Sequence, residues 1–316
     1  MSSMLVVGSI AIDTIHNHLG VHERVIGGSA IFGALAGALF VPVSIVGVVG
    51  EDFPLSAIQL LQSKGINTGS IEWAKGKTFH WEGRYSRDLT HRESIRTELN
   101  VFAEFQPKIP PALRDTPYVM LGNIHPNLQI EVLEQMARPK LVVADTMNFW
   151  ITGTPTELAR MLARIDVLVI NEEEARLLAG VHNIPRAAKI LQAMGPRIVV
   201  IKRGEYGALL FENGTVFSAP AYPVEDVVDP TGAGDSFAGA MLGALASEDR
   251  VDGASLRRAV IYGSVVASFC VEGISVSRLS TVSMQDIRKR YAAFARLAHF
   301  ASEAELAQLG EKEEKQ

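Results

Sequence analysis

The segment VVDPTGAGDSFAGAML, residues 227–242, changes from a glycine-rich turn into an apolar helix within a few positions. Glycine lets the backbone come close to a ligand, and the apolar residues that follow recur on one helix face. The helix is therefore predicted to begin near Gly234. The first N–H groups of a helix have no partner inside it and attract negative charge. The predicted anion-binding positions are Gly232, Ala233 and Gly234.

An acid stands in the first turn of this helix, beside the predicted anion. A carboxylate would repel a phosphate there unless it had a task, and taking a proton from a hydroxyl that attacks phosphorus is such a task. Asp235 is therefore predicted to be the general base of a phosphoryl transfer. The alternative is that Asp235 only complements the helix dipole and that the glycines only form a loop.

The composition indicates a globular protein that binds small ligands. The chain has 316 residues, 47% of them apolar, and a net charge of -5. This acidic balance argues against nucleic acid or an anionic membrane as a partner, because either calls for a basic face. The single cysteine, Cys270, cannot form an internal disulfide and is expected to be a buried thiol. The N-terminus makes a poor signal peptide, so we expect a cytoplasmic protein.

One uncharged stretch, residues 30–50, is long enough to span a bilayer. Pro42 stands in its middle, small residues dominate before it, and β-branched residues follow it. Because proline interrupts a helix, we expect an alanine-rich helix followed by a buried strand instead of a membrane span.

Short β-branched runs alternate with stretches of helical apolar spacing along most of the chain. This alternation is typical of βαβ units and predicts an α/β fold with a parallel sheet, which binds ligands at the carboxyl ends of its strands. The runs are MLVVGSI, VSIVGVV, PYVMLGN, KLVVAD, DVLVI and RIVVIKRG.

Residues 73–105 are polar and aromatic and have no helical period. We interpret them as an antiparallel β-sheet lid inserted in the α/β domain and joined in space by residues 14–26. The same element of a second chain can cover the exposed strand edges of a lid, so we expect a homodimer through residues 73–105. The Glu/Lys/Ala-rich residues 302–316 are predicted to be a charged tail, frayed or disordered.

Three segments resemble the ribokinase-like PfkB family of sugar and nucleoside kinases. DPTGAGDSFAGA at residues 229–240 resembles its C-terminal signature, and IGGSAIFGALAGALF at 26–40 with GVVGEDFP at 47–54 resembles its N-terminal one. The likeness runs in order from residue 4 to residue 279. It implies a three-layer α/β/α fold with a mostly parallel central sheet and a small β-sheet lid, in a kinase domain of residues 1–301.

The resemblance also implies the chemistry. Family members transfer the γ-phosphate of ATP, with Mg²⁺, to a hydroxymethyl group of a sugar or nucleoside. Asp235 matches their catalytic base, and the glycine turn at residues 232–234 matches their anion hole. A non-catalytic sensor with the same fold is an alternative, although a sensor has little reason to keep an acid beside an anion hole.

The stretch NEEEA follows the run DVLVI directly. Asn171 with Glu174 three positions later is a capping box, which needs no function. The pair also lies at the end of a strand and matches the family's N-x-x-E motif. The resemblance implies that Asn171 and Glu174 organise magnesium, through water because magnesium keeps much of its hydration shell.

VIKRGEYGALLF, residues 200–211, resembles the strand-turn-strand below the nucleotide in the family. The resemblance places Lys202, Gly204 and Gly207 near ATP, and a plain hairpin is the alternative. Four more positions match a monovalent-cation site, which potassium would occupy. They are Asp229, Thr231, Gly273 and Ser277. Alternatively, Asp229 is only a turn former before Pro230.

Asp13 and the pair Gly27 and Gly28 match family positions that hold substrate hydroxyls. A carboxylate accepts two adjacent O–H donors, and glycines let the backbone join in. The sequence departs from the family pattern at Ala11 and Phe32, where asparagines are common. These departures weaken polar recognition of a free sugar.

Three further residues are expected to supply polar contacts to the acceptor. They are Asn123, Asp145 and Asn148.

Aromatic side chains favour a nucleoside acceptor over a simple sugar, because a base can stack on them. They are Phe32 in the acceptor wall and Phe79, Trp81 and Tyr85 on the predicted lid. Arginines could instead grip the phosphate of a phosphosugar, which we rank third. They are Arg84, Arg87, Arg92 and Arg96.

Overall fold

The computed structural model describes residues 2–89 and 91–297, so the predicted tail at residues 302–316 lies outside the described residues. The strands are β1 (Met4–Val7), β2 (Ala11–Asn17), β3 (Gly20–Gly27), β4 (Val43–Gly50), β5 (Ile66–Ala74), β6 (Phe79–Tyr85), β7 (Arg92–Glu98), β8 (Tyr118–Leu121), β9 (Leu141–Ala144), β10 (Val167–Asn171), β11 (Ile198–Lys202), β12 (Ala208–Glu212) and β13 (Thr215–Ala219). The α-helices are α1 (Ser29–Gly37), α2 (Leu55–Ser63), α3 (Pro126–Gln135), α4 (Asn148–Gly153), α5 (Pro155–Leu162), α6 (Glu172–Ala179), α7 (Ile184–Ala193), α8 (Ala233–Glu248), α9 (Gly253–Cys270) and α10 (Met284–Leu297).

The central sheet confirms the predicted parallel architecture. In the described part of the chain it has nine strands in the order β13-β12-β11-β10-β9-β8-β1-β4-β5. The six predicted runs are β1, β4, β8, β9, β10 and β11, and all of them pair in parallel. β12 and β13 extend the sheet antiparallel at one edge. The carboxyl ends of the parallel strands therefore share one edge of the sheet.

Helices cover both faces of this sheet, which gives three layers. One apolar cluster joins the sheet to α1, α2, α8, α9 and α10, and a second joins it to α3, α5, α6 and α7. Residues 30–50 divide as predicted, because α1 ends before Pro42 and β4 follows it. Cys270 is a buried thiol. Among the residues described, no helix combines the length and the apolar character needed to cross a membrane.

Small residues bring α8 close to α1. A β-carbon at Gly239 would collide with the backbone of Gly33, and one at Gly243 would lie 3.0 Å from the Gly37 carbonyl oxygen. The two helices therefore contact each other through their backbones. This packing sets the start of α8 beside the start of α1, so the glycine turn and the Gly27-Gly28 pair become neighbours.

Four strands form a separate sheet in the order β3-β2-β6-β7, which we call the lid sheet. Its pairing corrects the predicted antiparallel lid: β2–β3 and β6–β7 are antiparallel, but β2 and β6 are parallel. Its bounds also differ from the prediction. Trp73 belongs to β5 of the central sheet, and residues 100–104 form a 3₁₀ turn. Asp13 belongs to the lid sheet because it lies in β2, which begins only a few residues after β1 ends.

Candidate active site

The glycine turn predicted from the sequence caps α8. Gly232 is the N-cap residue with a φ of 75°, a left-handed conformation that favours glycine. A β-carbon there would also collide with the ring of Phe32, so the turn rests on that ring. Phe32 is only 1% exposed. This burial corrects the prediction that Phe32 lines the acceptor wall, because its ring supports the turn from below.

The backbone donors of this turn are not all free. The N–H of Ala233 donates to the Pro230 carbonyl at 3.2 Å, so one of the three predicted anion donors is engaged in the turn. Gly234 is the second residue of α8, a position whose N–H has no partner within the helix. The N-terminus of α8 is the positive end of its helix dipole, and the Gly234 N–H remains there to bind an anion.

Asp235 is the third residue of α8. Burial raises the pKa of its carboxyl to about 7, the charge of Asp145 adds to this, and Lys202 and Arg92 act in the opposite direction. The protein around the side chain removes hydration that would otherwise stabilise the carboxylate. A carboxyl group with a pKa near neutral is well suited to accept a proton during catalysis.

Lys202, predicted to lie near ATP, also reaches the glycine turn. Its Nζ lies 3.5 Å from Asp145 Oδ2 and would be 2.7 Å from a β-carbon at Gly234. Burial lowers the pKa of Lys202, but the carboxylates of Asp145, Glu174 and Asp235 raise it on balance. A charged ammonium group therefore lies against the start of α8, where negative charge is expected.

The other two predicted nucleotide residues lie in the turn between β11 and β12. Gly204 begins a short 3₁₀ turn, and the Gly207 carbonyl accepts a hydrogen bond from the Arg203 N–H at 2.8 Å. β11 and β12 pair antiparallel. The strand-turn-strand is therefore present, and it follows Lys202 at the carboxyl end of β11.

Asn171 and Glu174 form the capping box that the sequence left open as an alternative. Asn171 Oδ1 accepts from the Glu174 N–H at 2.8 Å, and Glu174 Oε2 accepts from the Asn171 N–H at 3.1 Å. Asn171 therefore fixes the orientation of Glu174. Burial and the charge of Asp145 raise the pKa of Glu174 to about 7, against the influence of Lys202.

Asp229 is fully buried and ties two loops together. Its Oδ1 accepts from the Thr231 N–H at 2.9 Å, and its Oδ2 accepts from the Ser275 N–H at 3.0 Å. Gly273 and Ser277 meet in the second loop, where a β-carbon at Gly273 would lie 2.7 Å from Ser277 Oγ. The four residues predicted to hold a monovalent cation thus lie in two connected loops.

Asp13 has the features expected of a residue that accepts substrate hydroxyls. It is 4% exposed, and its buried Oδ1 has no hydrogen-bond partner. A β-carbon at Gly27 would collide with this carboxyl group, and Gly28 follows as the N-cap residue of α1. Burial raises the pKa of Asp13 to about 8. A hydrogen bond from the Trp81 N–H lowers this pKa, and the charges of Asp229 and Asp235 raise it further.

The lid sheet turns the face that carries Asp13 towards the glycine turn. Trp81 pairs with Asp13 across β2 and β6, and its ring lies over Gly83, where a β-carbon would collide with it. The Tyr85 hydroxyl lies 2.9 Å from Thr231 Oγ1. The sequence identified these aromatic residues only as stacking surfaces and missed the contact between Tyr85 and the turn.

Several predicted acceptor contacts are already engaged elsewhere. Asn123 accepts a hydrogen bond from Trp150 Nε1 at 2.9 Å and donates one to Met147 Sδ at 3.0 Å, so its contact with the acceptor stays a prediction. Phe79 packs on Phe102 with ring centres 5.5 Å apart. Asn148 begins α4, and its Oδ1 accepts a hydrogen bond from the Phe149 N–H at 2.9 Å.

The four lid arginines do not form one phosphate grip. Arg84 and Arg96 contact Glu93 and Glu98 at 3.9 Å and 2.9 Å, and their register places them on the face opposite Tyr85. Arg87 is exposed in the hairpin turn. Arg92 alone among the four pairs with Tyr85 on the face towards the turn. The alternative of a phosphosugar held by all four arginines therefore loses three of them, and only Arg92 remains on that face.

We expect Asp13→Asn to stabilise the free protein at alkaline pH while it weakens acceptor binding. Folding raises the pKa of Asp13, so the protonated carboxyl stabilises the folded state fully below its ordinary pKa. This stabilisation is lost as the pH rises through about 8. Asparagine carries no charge, so above pH 8 the free energy of unfolding of the variant should exceed that of the wild type by ~1–3 kcal/mol. Melting temperatures measured against pH test this, and a variant less stable than the wild type at every pH would contradict it.

Comparisons with known proteins agree with this architecture. The pfkB family of carbohydrate kinases matches residues 1–281. A cytidine kinase of Thermococcus kodakarensis is 31% identical over 252 residues, which cover 77% of this chain and 88% of that protein. A nucleoside kinase of Methanothermobacter thermautotrophicus is 28% identical over 257 residues, 78% of each chain.

A solved structure extends the likeness to the fold. Arabidopsis thaliana ribokinase, complexed with ribose and ATP, superimposes with a TM-score of 0.73 at 23% identity, covering 92% of this chain and 99% of that one. The match of the family over most of the chain and the shared fold show that this chain belongs to the pfkB family of carbohydrate kinases, and it is therefore a kinase of a sugar or a nucleoside.

Proposed function

We propose that this protein transfers the γ-phosphate of ATP to a hydroxymethyl group, with Asp235 as the general base. The acceptor oxygen forms a bond to the γ-phosphorus while the bond from that phosphorus to the β–γ bridging oxygen breaks. ADP leaves with the electron pair of the broken bond. The hydroxyl proton moves to the Asp235 carboxylate, so the products are ADP and the phosphorylated acceptor.

One observation carries this proposal: Asp235 lies in the first turn of α8, directly after Gly234, and Lys202 Nζ lies against Gly234. A group with developing negative charge would be stabilised there by the Gly234 N–H, the helix dipole and the ammonium group. The base then stands next to the attacked phosphorus. Asp13 belongs to the lid sheet and not to α8, and it would hold the acceptor there.

Magnesium is expected to accompany ATP, and the residues present suit it. Glu174 and Asp145 are carboxylates near Lys202, and hard oxygen donors are what magnesium prefers. When bound, the ion neutralises phosphate charge. Because only Glu174 of the capping pair can carry a negative charge, we assign the role of holding magnesium, through water, to Glu174, with Asn171 orienting it. Glu174→Gln should raise the magnesium concentration needed for half-maximal rate, and an unchanged requirement would contradict this role.

We propose that the acceptor is a nucleoside. Of the four predicted stacking residues, Phe32 is covered by the turn, Phe79 packs on Phe102, and Tyr85 contacts Thr231. Trp81 remains, on the same face as Asp13, with the Arg92 guanidinium over its ring at a position that a base could take. A ribose held by Asp13 would place its base within reach of this indole. The cytidine kinase and nucleoside kinase relatives support the same choice.

A substrate screen with coupled ADP detection tests the proposal. We expect ribonucleosides to give a kcat/KM more than about tenfold above free ribose or fructose, equivalent to ~1.4 kcal/mol. Trp81→Ala should raise the nucleoside KM by ~5–100-fold, the value of one stacked base, and leave that of ribose unchanged. Trp73→Ala, an exposed tryptophan of β5, is the matched control.

Two results would decide against parts of this proposal. A tenfold preference for a free sugar would remove the nucleoside. A protein that binds a nucleoside but consumes no ATP in its presence would be a sensor, the alternative left open by the sequence.

Potassium activation is a further proposal for the loops joined by Asp229. Both carboxylate oxygens of Asp229 accept backbone hydrogen bonds, so it would act by ordering the loops around the cation. We expect higher rates in potassium than in sodium or a bulky organic cation. Equal rates in all three would remove the proposal.

A homodimer through the lid sheet is also proposed. β3 and β7 are its edge strands, and unpaired edges are readily covered by a second copy. Light scattering that shows only monomer at micromolar concentration would count against it.

A further inference from the structure

An arginine of the lid sheet reaches the face that covers the glycine turn. Arg92 pairs with Tyr85 at the end of the β6–β7 hairpin, and the Tyr85 hydroxyl lies 2.9 Å from Thr231 Oγ1. The Arg92 guanidinium interacts with that hydroxyl, and its central carbon lies 5.5 Å from the centre of the Trp81 ring. The guanidinium group is therefore separated from the turn by only the end of one tyrosine side chain.

The catalytic centre holds more negative charge than Lys202 can balance. The carboxyl groups of Asp145, Glu174 and Asp235 all act on this lysine, and ATP would bring further negative charge. Two cations act on both Glu174 and Asp235, namely Lys202 and Arg92. Lys202 approaches from the central sheet and Arg92 from the lid sheet. A phosphoryl group at the start of α8 would thus be approached by one cation from each sheet.

We propose that Arg92 is a catalytic residue whose guanidinium group binds the oxygens of the phosphoryl group during its transfer. In phosphoryl transfer the negative charge spreads over three equatorial oxygens, and the planar fork of a guanidinium matches two of them. The proposal rests on the kinase function with Asp235 as base. Bond changes are those already given, and the proton still goes to Asp235.

The contact of Arg92 with Tyr85, whose hydroxyl lies 2.9 Å from Thr231 Oγ1 beside the glycine turn, favours the transferred group over a phosphate already present on the acceptor. The influence of Arg92 falls on Glu174 and Asp235, at the transfer centre. In the free protein the Arg92 guanidinium packs on the Trp81 indole, and a base stacked on this indole would displace it.

The test compares Arg92→Gln with Arg84→Gln. Arg84 belongs to the same hairpin, but it lies on the opposite face and contacts Glu93. Arg92→Gln should lower kcat by ~10²–10³-fold, the usual loss when one transition-state donor is removed. The acceptor KM should stay within about threefold. Arg84→Gln should keep the wild-type kcat.

Two further measurements separate this role from a structural one. Free guanidinium ion should restore part of the activity of Arg92→Gly. Calorimetry should show that Arg92→Gln binds a non-hydrolysable ATP analogue as the wild type does. The same variant should bind ADP with aluminium fluoride and a nucleoside at least tenfold more weakly, since this complex mimics the transferred group.

A kcat of Arg92→Gln within about threefold of the wild type would overturn the proposal. So would a loss confined to the acceptor KM, which would make Arg92 an acceptor-binding residue. Asp235→Asn, assayed beside it, separates the two claims. If the wild type is active and Asp235→Asn is not, a fully active Arg92→Gln rejects the role of Arg92 alone. If the wild type phosphorylates no acceptor, the proposed function itself fails.

Discussion

The Asp235→Asn variant is expected to lose a factor of ~10²–10⁴ in kcat, the usual contribution of a positioned general base. Asparagine keeps the size of the side chain but cannot take the hydroxyl proton. The Gly234 N–H, Lys202 and the helix end remain in place, so the affinity for a non-hydrolysable ATP analogue should change by no more than a few fold. Steady-state kinetics and calorimetry on the same preparations measure the two quantities.

The control for this variant is Asp226→Asn. Asp226 is exposed and lies nine positions before Asp235, ahead of the glycine turn. Removing the same charge there tests whether net charge near the site matters, and the kcat should stay at the wild-type value. If Asp235→Asn turned over at the wild-type rate, proton transfer to this carboxylate would not belong to the mechanism.

The pH dependence of the wild type should report the same group. Burial raises the pKa of Asp235 to about 7, and only the ionised form can act as base. The value of kcat/KM, which reflects the free enzyme, should therefore fall as the pH drops below about 7 and level off above it. The residual rate of Asp235→Asn should depend less steeply on pH, because of the two carboxyl groups whose pKa burial raises to about 7 only Glu174 still titrates. A wild-type profile that is flat from pH 6 to pH 8 would assign the rate to another step.

The sequence predicted the central sheet and the position of the glycine turn at the start of α8 well, because both depend on local patterns. A parallel strand buried on both faces is apolar throughout, so the runs that became β1 and β10 could be recognised without knowledge of their partners. The turn before α8 was equally readable. Gly232 and Asp235 are close in sequence, and the start of a helix fixes their relative positions.

The lid sheet was predicted less well, because its pairing depends on contacts between distant segments. The register of β6 and β7 shifts at Glu82 and Gly83, and a shift by one residue exchanges the two faces of a strand. That shift lies between Arg96 and Arg92, so no local pattern could say which arginine faces the glycine turn. Phe32 shows the same limit, since its burial follows from the close packing of α1 against α8.

The Gly232→Ala variant should lose both activity and stability. A residue other than glycine pays ~1–2 kcal/mol for the left-handed conformation, and a β-carbon at Gly232 would collide with the ring of Phe32. Phe32 belongs to α1 and is 1% exposed, so its ring has little space into which it could move. The turn must therefore move away from α1, and it would carry its N–H groups out of line with the phosphoryl group. We expect kcat to fall by ~10²–10³-fold, as after the loss of one oxyanion donor.

Two comparisons separate the collision from the cost of the backbone conformation. Gly180 has a φ of 66° and open space around its α-carbon, so Gly180→Ala pays the conformational cost alone and should lose stability but not kcat. Phe32→Leu in the Gly232→Ala background gives the β-carbon room, and the double variant should recover part of the lost kcat. Coupling of this kind is expected only between residues in contact. If Gly232→Ala kept the wild-type kcat, or if Phe32→Leu lowered the rate of the double variant further, the ring of Phe32 would not be what holds the turn in its catalytic position.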